Sequence, residues 1–344
     1  MKQRIEYIDA LRGFTIILVV MYHVSITYFG AHFDSPELIH TYNYYFLQFR
    51  MPLFFFVAGL VFFKPMDYWT KENRTLFFKK KFKVQLLSPF IFFVLYCYTF
   101  HLSVTKGLMQ WNKEGYWFTY VLMIFFSFWF LFTSIINKLK VKDKTKDILL
   151  IIVALAIYCA SLEQRKTVIV SILSLVEWNF FLFFVLGAMV RKYYSQFTSL
   201  ILEKKFITLA VALFFLFNIF SSPITRTFSH ILFPLVTSLA GVTLVFALFY
   251  KNRDFFKKDN TLSNSLKFIG KRTLDIYLIH YFFLQTQLPD FFNFFNDCHV
   301  PLVEFCCTFI VAIVIIAFSL AISSVIRLSN PLASFLFGVK KEKG

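Results

Sequence analysis

The stretch Asp9-Ala-Leu-Arg12-Gly13-Phe-Thr-Ile-Ile-Leu-Val-Val-Met-Tyr-His23 decides the class of this chain. Charge stops at Arg12, ten uncharged residues follow, and His23 then interrupts a run that stays apolar to Phe29. Apolar runs of sixteen or more residues recur along the 344 residues, which are 58% hydrophobic and only 16% charged. Runs of that length suit helices that cross a bilayer. They are continuous rather than alternating with period two, which excludes a transmembrane barrel. The expected fold is all-α and polytopic, one transmembrane domain over residues 1–344 with no room for a second soluble domain.

Ten spans are expected, near 13–29, 43–63, 84–103, 117–136, 147–162, 168–190, 205–221, 229–250, 268–289 and 302–326. Charge tests this count independently, because cytoplasmic loops concentrate Lys and Arg. With the N-terminus inside, 30 of the 36 Lys and Arg fall on the cytoplasmic side, five lie in outer loops, and Arg50 lies within a span. Both termini are therefore expected in the cytoplasm. The net charge of +17 reports this topology, with basic loops against anionic lipids rather than a nucleic-acid surface. The first run lacks a small-residue cleavage site and reads as a retained span. Cys97, Cys159, Cys298, Cys306 and Cys307 form neither a disulfide framework nor a metal spacing. The 51 phenylalanines read mostly as lipid-facing bulk.

An ionisable group inside a bilayer is costly and marks function by default. From Arg12 to His23 is eleven helical steps, about three turns plus 20°, so both share one face, roughly 16 Å apart. Arg12 alone also fits a positive-inside anchor, and His23 also fits a buried imidazole bonded to a backbone carbonyl. A neutral imidazole at that depth can instead take a proton from a hydroxyl. Arg50 stands in Phe49-Arg50-Met51-Pro52 of the second span, at a depth similar to His23. Its guanidinium needs a partner there: an ion pair within the bundle, or the charge of a substrate or transition state. Pro52 frees a backbone carbonyl beside it. Asp275 and His280 lie five apart, about 140° from a shared face, so they need not touch. His32, Asp34, Glu37 and His40, and later Asp290, Asp297 and His299, read as solvated rims; Glu177 and Glu304 read as satisfied polar partners. No Gly-x-Ser-x-Gly elbow, P-loop, His-Glu-x-x-His or His-x4-Asp element occurs, so neither a serine nucleophile nor a metal is expected.

The ordered set Tyr7-Ile-Asp9-Ala-Leu-Arg12-Gly13 to His23, then Phe49-Arg50-Met51-Pro52-Leu-Phe-Phe-Phe-Val-Ala-Gly59, resembles the acyltransferase 3 family of membrane O-acyltransferases. Tyr116-Trp117-Phe118, Phe183-Phe184-Val185-Leu186-Gly187 with Arg191-Lys192, and Thr273-Leu274-Asp275-Ile276-Tyr277-Leu278-Ile279-His280 extend the resemblance over the whole chain. The Phe-Arg-Met element is also similar to glucan biosynthesis protein C, a succinyltransferase. The resemblance implies transfer of an acetyl or succinyl group from cytoplasmic acyl-CoA to a hydroxyl of a cell-envelope or exported polysaccharide. It implies a multi-pass protein of the cytoplasmic (inner) membrane whose partners are membrane lipids and a glycan or lipid-linked glycan acceptor. Carried over, Arg12 would hold the negative donor and His23 would be the essential histidine. Asp9, Trp117, Asp275 and His280 would line the substrate pocket. The family often has Arg-x-x-Arg before Leu-Leu-x-Pro; here Leu86-Leu87-Ser88-Pro89 is present but Phe82 and Gln85 stand at the arginine positions. Lys81 and Lys83 would meet the donor's phosphates instead, as point charges without the bidentate fork.

The expected course places Arg50 on the developing oxyanion and His23 as the base. A glycan exporter without enzymatic activity is the alternative. Its signature, paired broken helices in two repeated halves, is absent from the sequence pattern.

Overall fold

The structure, a computed structural model, describes residues 5–29, 42–138, 141–163, 167–220, 229–284 and 300–338. Among these no strand occurs. The main helices are α1 (Glu6–Phe29), α2 (Tyr42–Phe62), α3 (Lys71–Thr99), α4 (Trp117–Ile136), α5 (Asp143–Leu162) and α6 (Phe181–Lys192). They continue as α7 (Lys204–Phe220), α8 (Ser229–Lys251), α9 (Thr261–Lys271), α10 (Thr273–Ile279), α11 (Pro301–Arg327) and α12 (Asn330–Phe337). The protein is thus an all-α, polytopic membrane protein, as its apolar runs require. The rim residues expected in 30–41 and 285–299, Cys298 included, lie outside the described residues.

Seven described helices are long and apolar enough to cross a membrane: α1 to α5, α8 and α11. The other three expected spans are shorter or broken for visible reasons. The run at 168–190 is divided by Ser174, whose φ of 49° ends one short helix before a 3-10 turn leads into α6. α7 has only 17 residues. The run at 268–289 breaks at Arg272, which leaves helical backbone between α9 and α10.

The chain divides into two compact units: residues 1–57 with 194–323, and residues 58–193 with 324–344. In the first unit α1 lies directly on α9. Gly13 and Gly270 make this contact: a Cβ on Gly13 would meet Leu266 O at 2.1 Å, and one on Gly270 would meet Asp9 O at 1.8 Å. Small residues let backbones approach this closely where the surrounding solvent is as apolar as the side chains. α2 meets α8 through Gly241, which packs on the Phe49 ring. Pro52 offers no N–H to the carbonyl one turn back, Gln48 O, and Ser238 Oγ donates to that oxygen at 2.6 Å instead.

The second unit is built on aromatic rings. Phe62, Trp69, Phe77, Phe126, Phe130 and Phe184 interlock with centroid separations of 4.8–5.8 Å. Phe125, Phe126, Phe181, Phe183 and Phe184 here, with Phe55 and Phe246 in the first unit, are fully buried. Phenylalanine is therefore core as well as lipid-facing bulk, a correction to the composition reading. Edge-to-face ring packing fills volume that Leu or Val would leave poorly matched. Gly59, at the end of its motif, touches the Phe184 carbonyl much as Gly13 touches Leu266. Lys192 Nζ (2.6 Å) and Tyr193 Oη (2.5 Å) both donate to Asp147 Oδ2, tying the end of α6 to α5. That hydrogen bond, with burial and the Asp147 charge, pushes the Tyr193 phenol up to about 12.

In α3 the residues Lys83–Leu87 form a π-turn, with Ser88 N bonding to Lys83 O. Pro89 explains it, because without an N–H it cannot close the α-helical bond to Gln85 O. The widened turn buries Gln85, and Ser88 Oγ donates to Leu336 O of α12.

Candidate functional site

Two helices of the first unit and the 3-10 turn that follows α10 bring together the polar groups expected to carry chemistry. α1 supplies Tyr22 and His23, α2 supplies Arg50, and α10 with the 3-10 turn after it (His280–Phe283) supplies His280 and Tyr281. The His23 ring lies 5.4 Å from that of His280 and 5.1 Å from that of Tyr281. The Tyr281 hydroxyl is 3.2 Å from His23 Nε2 and shares a proton with it. His23 itself is part-buried.

His280 is fully buried, and its tautomer follows from its partners. Nδ1 lies 2.9 Å from Ile276 O and 3.0 Å from Tyr277 O, both acceptors, so Nδ1 carries the proton. Nε2 is then a bare lone pair, with no hydrogen-bond donor among the described residues. Arg50 is buried, its guanidinium 3.3 Å above the centre of the Tyr22 ring, and that ring is 5.3 Å from His23. Stacking on an aromatic face stabilises a cation in a desolvated site. Ser25 Oγ donates to Glu304 Oε1 at 3.2 Å, and Tyr28 Oη donates to Phe283 O, closing α1 against α11 and the 3-10 turn. Glu304 thus has the polar partner expected for it.

Three turns towards the start of α1, Arg12 keeps a third of its side chain exposed and sits 3.8 Å from Asp9. Asp9 lines a cavity of about 750 Å³ with Glu6, Lys267, Phe268 and Lys271 among its walls. Lys267 Nζ is 2.9 Å from Glu6 Oε2. The α1–α9 backbone contact at Gly13 and Gly270 sets the geometry of this end of the unit.

Asp275 does not join the histidines. It is buried, and its Oδ2 accepts a hydrogen bond from Ser323 Oγ of α11. Trp117, Lys81 and Lys83 belong to the second unit. Trp117 stacks on Phe180 at 5.9 Å, Lys81 Nζ lies 4.8 Å over the Phe126 ring, and Lys83 Nζ lies 5.4 Å over Phe335. Sequence reasoning missed Tyr22 and Tyr281. The signal was there: each histidine of the pair adjoins a tyrosine, as Tyr22-His23 and His280-Tyr281. No group of His, Cys, Asp and Glu among the described residues could hold a metal ion.

Fold and site together define a multi-pass membrane protein with a histidine, tyrosine and arginine cluster inside its helices. The sequence model of the acyltransferase 3 family, an acyltransferase domain, matches residues 5–323, and the chain belongs to that family. A curated relative is the inner membrane protein YcfT of Escherichia coli (strain K12), 36% identical over 75 residues. That match covers 20% of this chain and 21% of YcfT, so the chain spans about a fifth of the relative's length. No solved structure matches.

Proposed function

We propose that this protein moves an acetyl or succinyl group from acyl-CoA, supplied on the cytoplasmic side, to a hydroxyl of a cell-envelope or exported polysaccharide. The acceptor is a glycan or lipid-linked glycan. Ten spans with both termini inside, in the bacterial inner membrane, suit this reading and the charge distribution. The name of the relative YcfT supports the same location.

The observation that carries the reading is the Tyr281–His23 hydrogen bond with His280 beside it. The acceptor hydroxyl passes its proton to the Tyr281 oxygen as Tyr281 gives its own to His23 Nε2. The hydroxyl oxygen forms the new C–O bond, the thioester C–S bond breaks, and the proton on His23 leaves with the thiolate. His280 supports the transient imidazolium with the Nε2 lone pair that its backbone bonds orient. Arg50 faces the developing oxyanion, where a fixed cation in a dry site is worth most.

The residues present fit the donor. Lys267 and Lys271 line the 750 Å³ cavity together with Glu6 and Asp9, and with Arg12 on the adjoining turn of α1 they are the cations that phosphates would draw from those carboxylates. Arg12 and His23 share a face roughly 16 Å apart, which matches an extended thioester arm held at its phosphate end.

The test is acylation of envelope glycan, and release of CoA, by membranes holding equal amounts of each variant. His23→Ala should abolish transfer. Tyr281→Phe should lower kcat by about 10²-fold with little change in the KM for the donor. Wild-type transfer by His23→Ala would end this reading.

A further inference from the structure

The second unit holds a polar cluster of its own. Between α3 and α4 the backbone is left-handed at three consecutive residues, Lys113 (φ 45°), Glu114 (φ 51°) and Gly115 (φ 93°), and again at Ser174 (φ 49°). Strain of this kind gathers at ligand clamps. The clamp holds a cation: Lys113 Nζ donates to Gln110 O (3.2 Å), Ser171 O (3.2 Å) and Ser174 Oγ (3.0 Å), and lies 5.1 Å from the Tyr120 ring centre. Its neighbours are neutral oxygens, and among the described residues no carboxylate pairs with it.

Lys113 lines a cavity of about 460 Å³ whose walls include Phe82, Leu86, Phe90 and Phe93 of α3 and Tyr120 of α4. Two more polar groups line it. Gln85, turned inward by the π-turn, is 8% exposed, and Thr119 is 1% exposed. Gln85 Oε1 and Thr119 Oγ1 have no hydrogen-bond partner among the described residues. A helical threonine ordinarily returns its hydroxyl to the preceding turn, as Thr99 and Thr237 do here. Orphaned buried polar atoms are rare in native folds and point to an unseen partner.

The partner's chemistry follows from the walls. Gln85 Oε1 only accepts, so it asks for a donor. The Lys113 ammonium spends its three N–H bonds on neutral oxygens, so its charge attracts an anionic oxygen only through space, and the aromatic and aliphatic walls ask for hydrocarbon. We propose that this cavity binds one chain of an anionic amphiphile whose head carries both a hydroxyl and an anionic oxygen. The hydroxyl donates to Gln85 Oε1, the anionic oxygen faces Lys113, and the chain lies against Phe82, Leu86 and Phe90. A glycerol-headed phospholipid of the bilayer offers this chemistry; a prenyl phosphate, a monoester largely dianionic near neutral pH, offers the anionic oxygens and the chain without the hydroxyl.

The full chain, purified in lauryldimethylamine oxide, is titrated with phosphatidylglycerol, farnesyl phosphate and phosphatidylcholine, and bound lipid is counted by native mass spectrometry. Phosphatidylcholine has the phosphate and chains but no hydroxyl. The expected result is at least tenfold tighter retention of phosphatidylglycerol than of phosphatidylcholine or farnesyl phosphate. Retention of farnesyl phosphate as tight as that of phosphatidylglycerol would show that anionic charge and not the hydroxyl is read, and overturns the proposal. Gln85→Leu with Thr119→Val keeps side-chain volume and removes both orphaned atoms, and should bring retention down to the phosphatidylcholine level. As a second readout on the unaltered chain, the preferred lipid should raise the melting temperature where phosphatidylcholine does not. Equal retention of all three lipids, or an unchanged preference in the double variant, overturns the proposal.

Discussion

Gly270→Ala should destabilise the protein, against the usual rule. In an exposed helix interior the change adds about 1 kcal/mol of stability, because glycine loses more backbone freedom on folding than alanine does. Here the new Cβ would stand 1.8 Å from Asp9 O, 2.8 Å from Asp9 C and 2.9 Å from Gly13 N. All three are backbone atoms, so no side chain can rotate away. Restoring ordinary contact separates α1 from α9 by about 1.5 Å at this point. Overpacking that backbones must absorb costs about 3 kcal/mol, the upper end of the usual range, which outweighs the propensity gain. A net loss of about 2 kcal/mol corresponds to a fall in melting temperature of about 4–8 °C. The same shift moves Asp9 and Arg12 relative to Lys267 and Lys271, so the KM for acyl-CoA should rise while the donor-independent fold survives. Tryptophan fluorescence during heating of the detergent-solubilised protein reads the first quantity, and CoA release reads the second. Gly107→Ala is the control. Its Cβ would meet the tip of the Phe93 ring at 3.0 Å, a side chain that can yield, and the melting temperature should change little. A Gly270→Ala protein that melts at or above the parent temperature would refute the close-contact reading of α1 and α9.

Two further perturbations probe other parts of the fold. Ser238→Ala removes the donor that serves the Gln48 carbonyl freed by Pro52, and should cost about 1–2 kcal/mol in the same thermal assay, a loss that disappears when Pro52→Ala restores the helical bond. Burial lowers the Lys113 amine from the usual lysine range to about 8. Between pH 8 and the unperturbed lysine value the unfolded chain therefore binds more protons than the folded one, and stability rises with pH across that window, by at most about 3 kcal/mol. Lys113→Met should flatten that part of the pH profile; a profile identical to the parent's would show that the cation is not buried as described.

The class of the protein was legible from one dimension. Uncharged runs of span length, and Lys and Arg that favour one side, follow from the cost of placing charge and unpaired backbone in hydrocarbon. His23 and Arg50 stood out for the same reason: each is ionisable where the surrounding sequence permits no charge. The expected spans that broke did so where apolar composition does not by itself decide helix continuity. Ser174 and Arg272 leave helical backbone beside the polar residues Glu177 and Lys271 that interrupt these runs. Asp275 of the late motif accepts a hydrogen bond from Ser323, 48 positions on, a pairing that the motif by itself does not state.

What the sequence by itself determined is membrane class, helical periodicity and the face shared by Arg12 and His23, because these depend on residues within a few turns of one another. What only the tertiary structure decided is which distant groups meet. His280 Nε2 is a lone pair because backbone carbonyls of its own helix take the Nδ1 proton, and Tyr281 reaches His23 because α10 packs against α1. Gly13 and Gly270 carry no chemistry of their own, but 257 residues apart they let two backbones touch. Hydrogen bonds and steric contact act over a few ångströms, and a linear chain does not state which of its residues will come within that range.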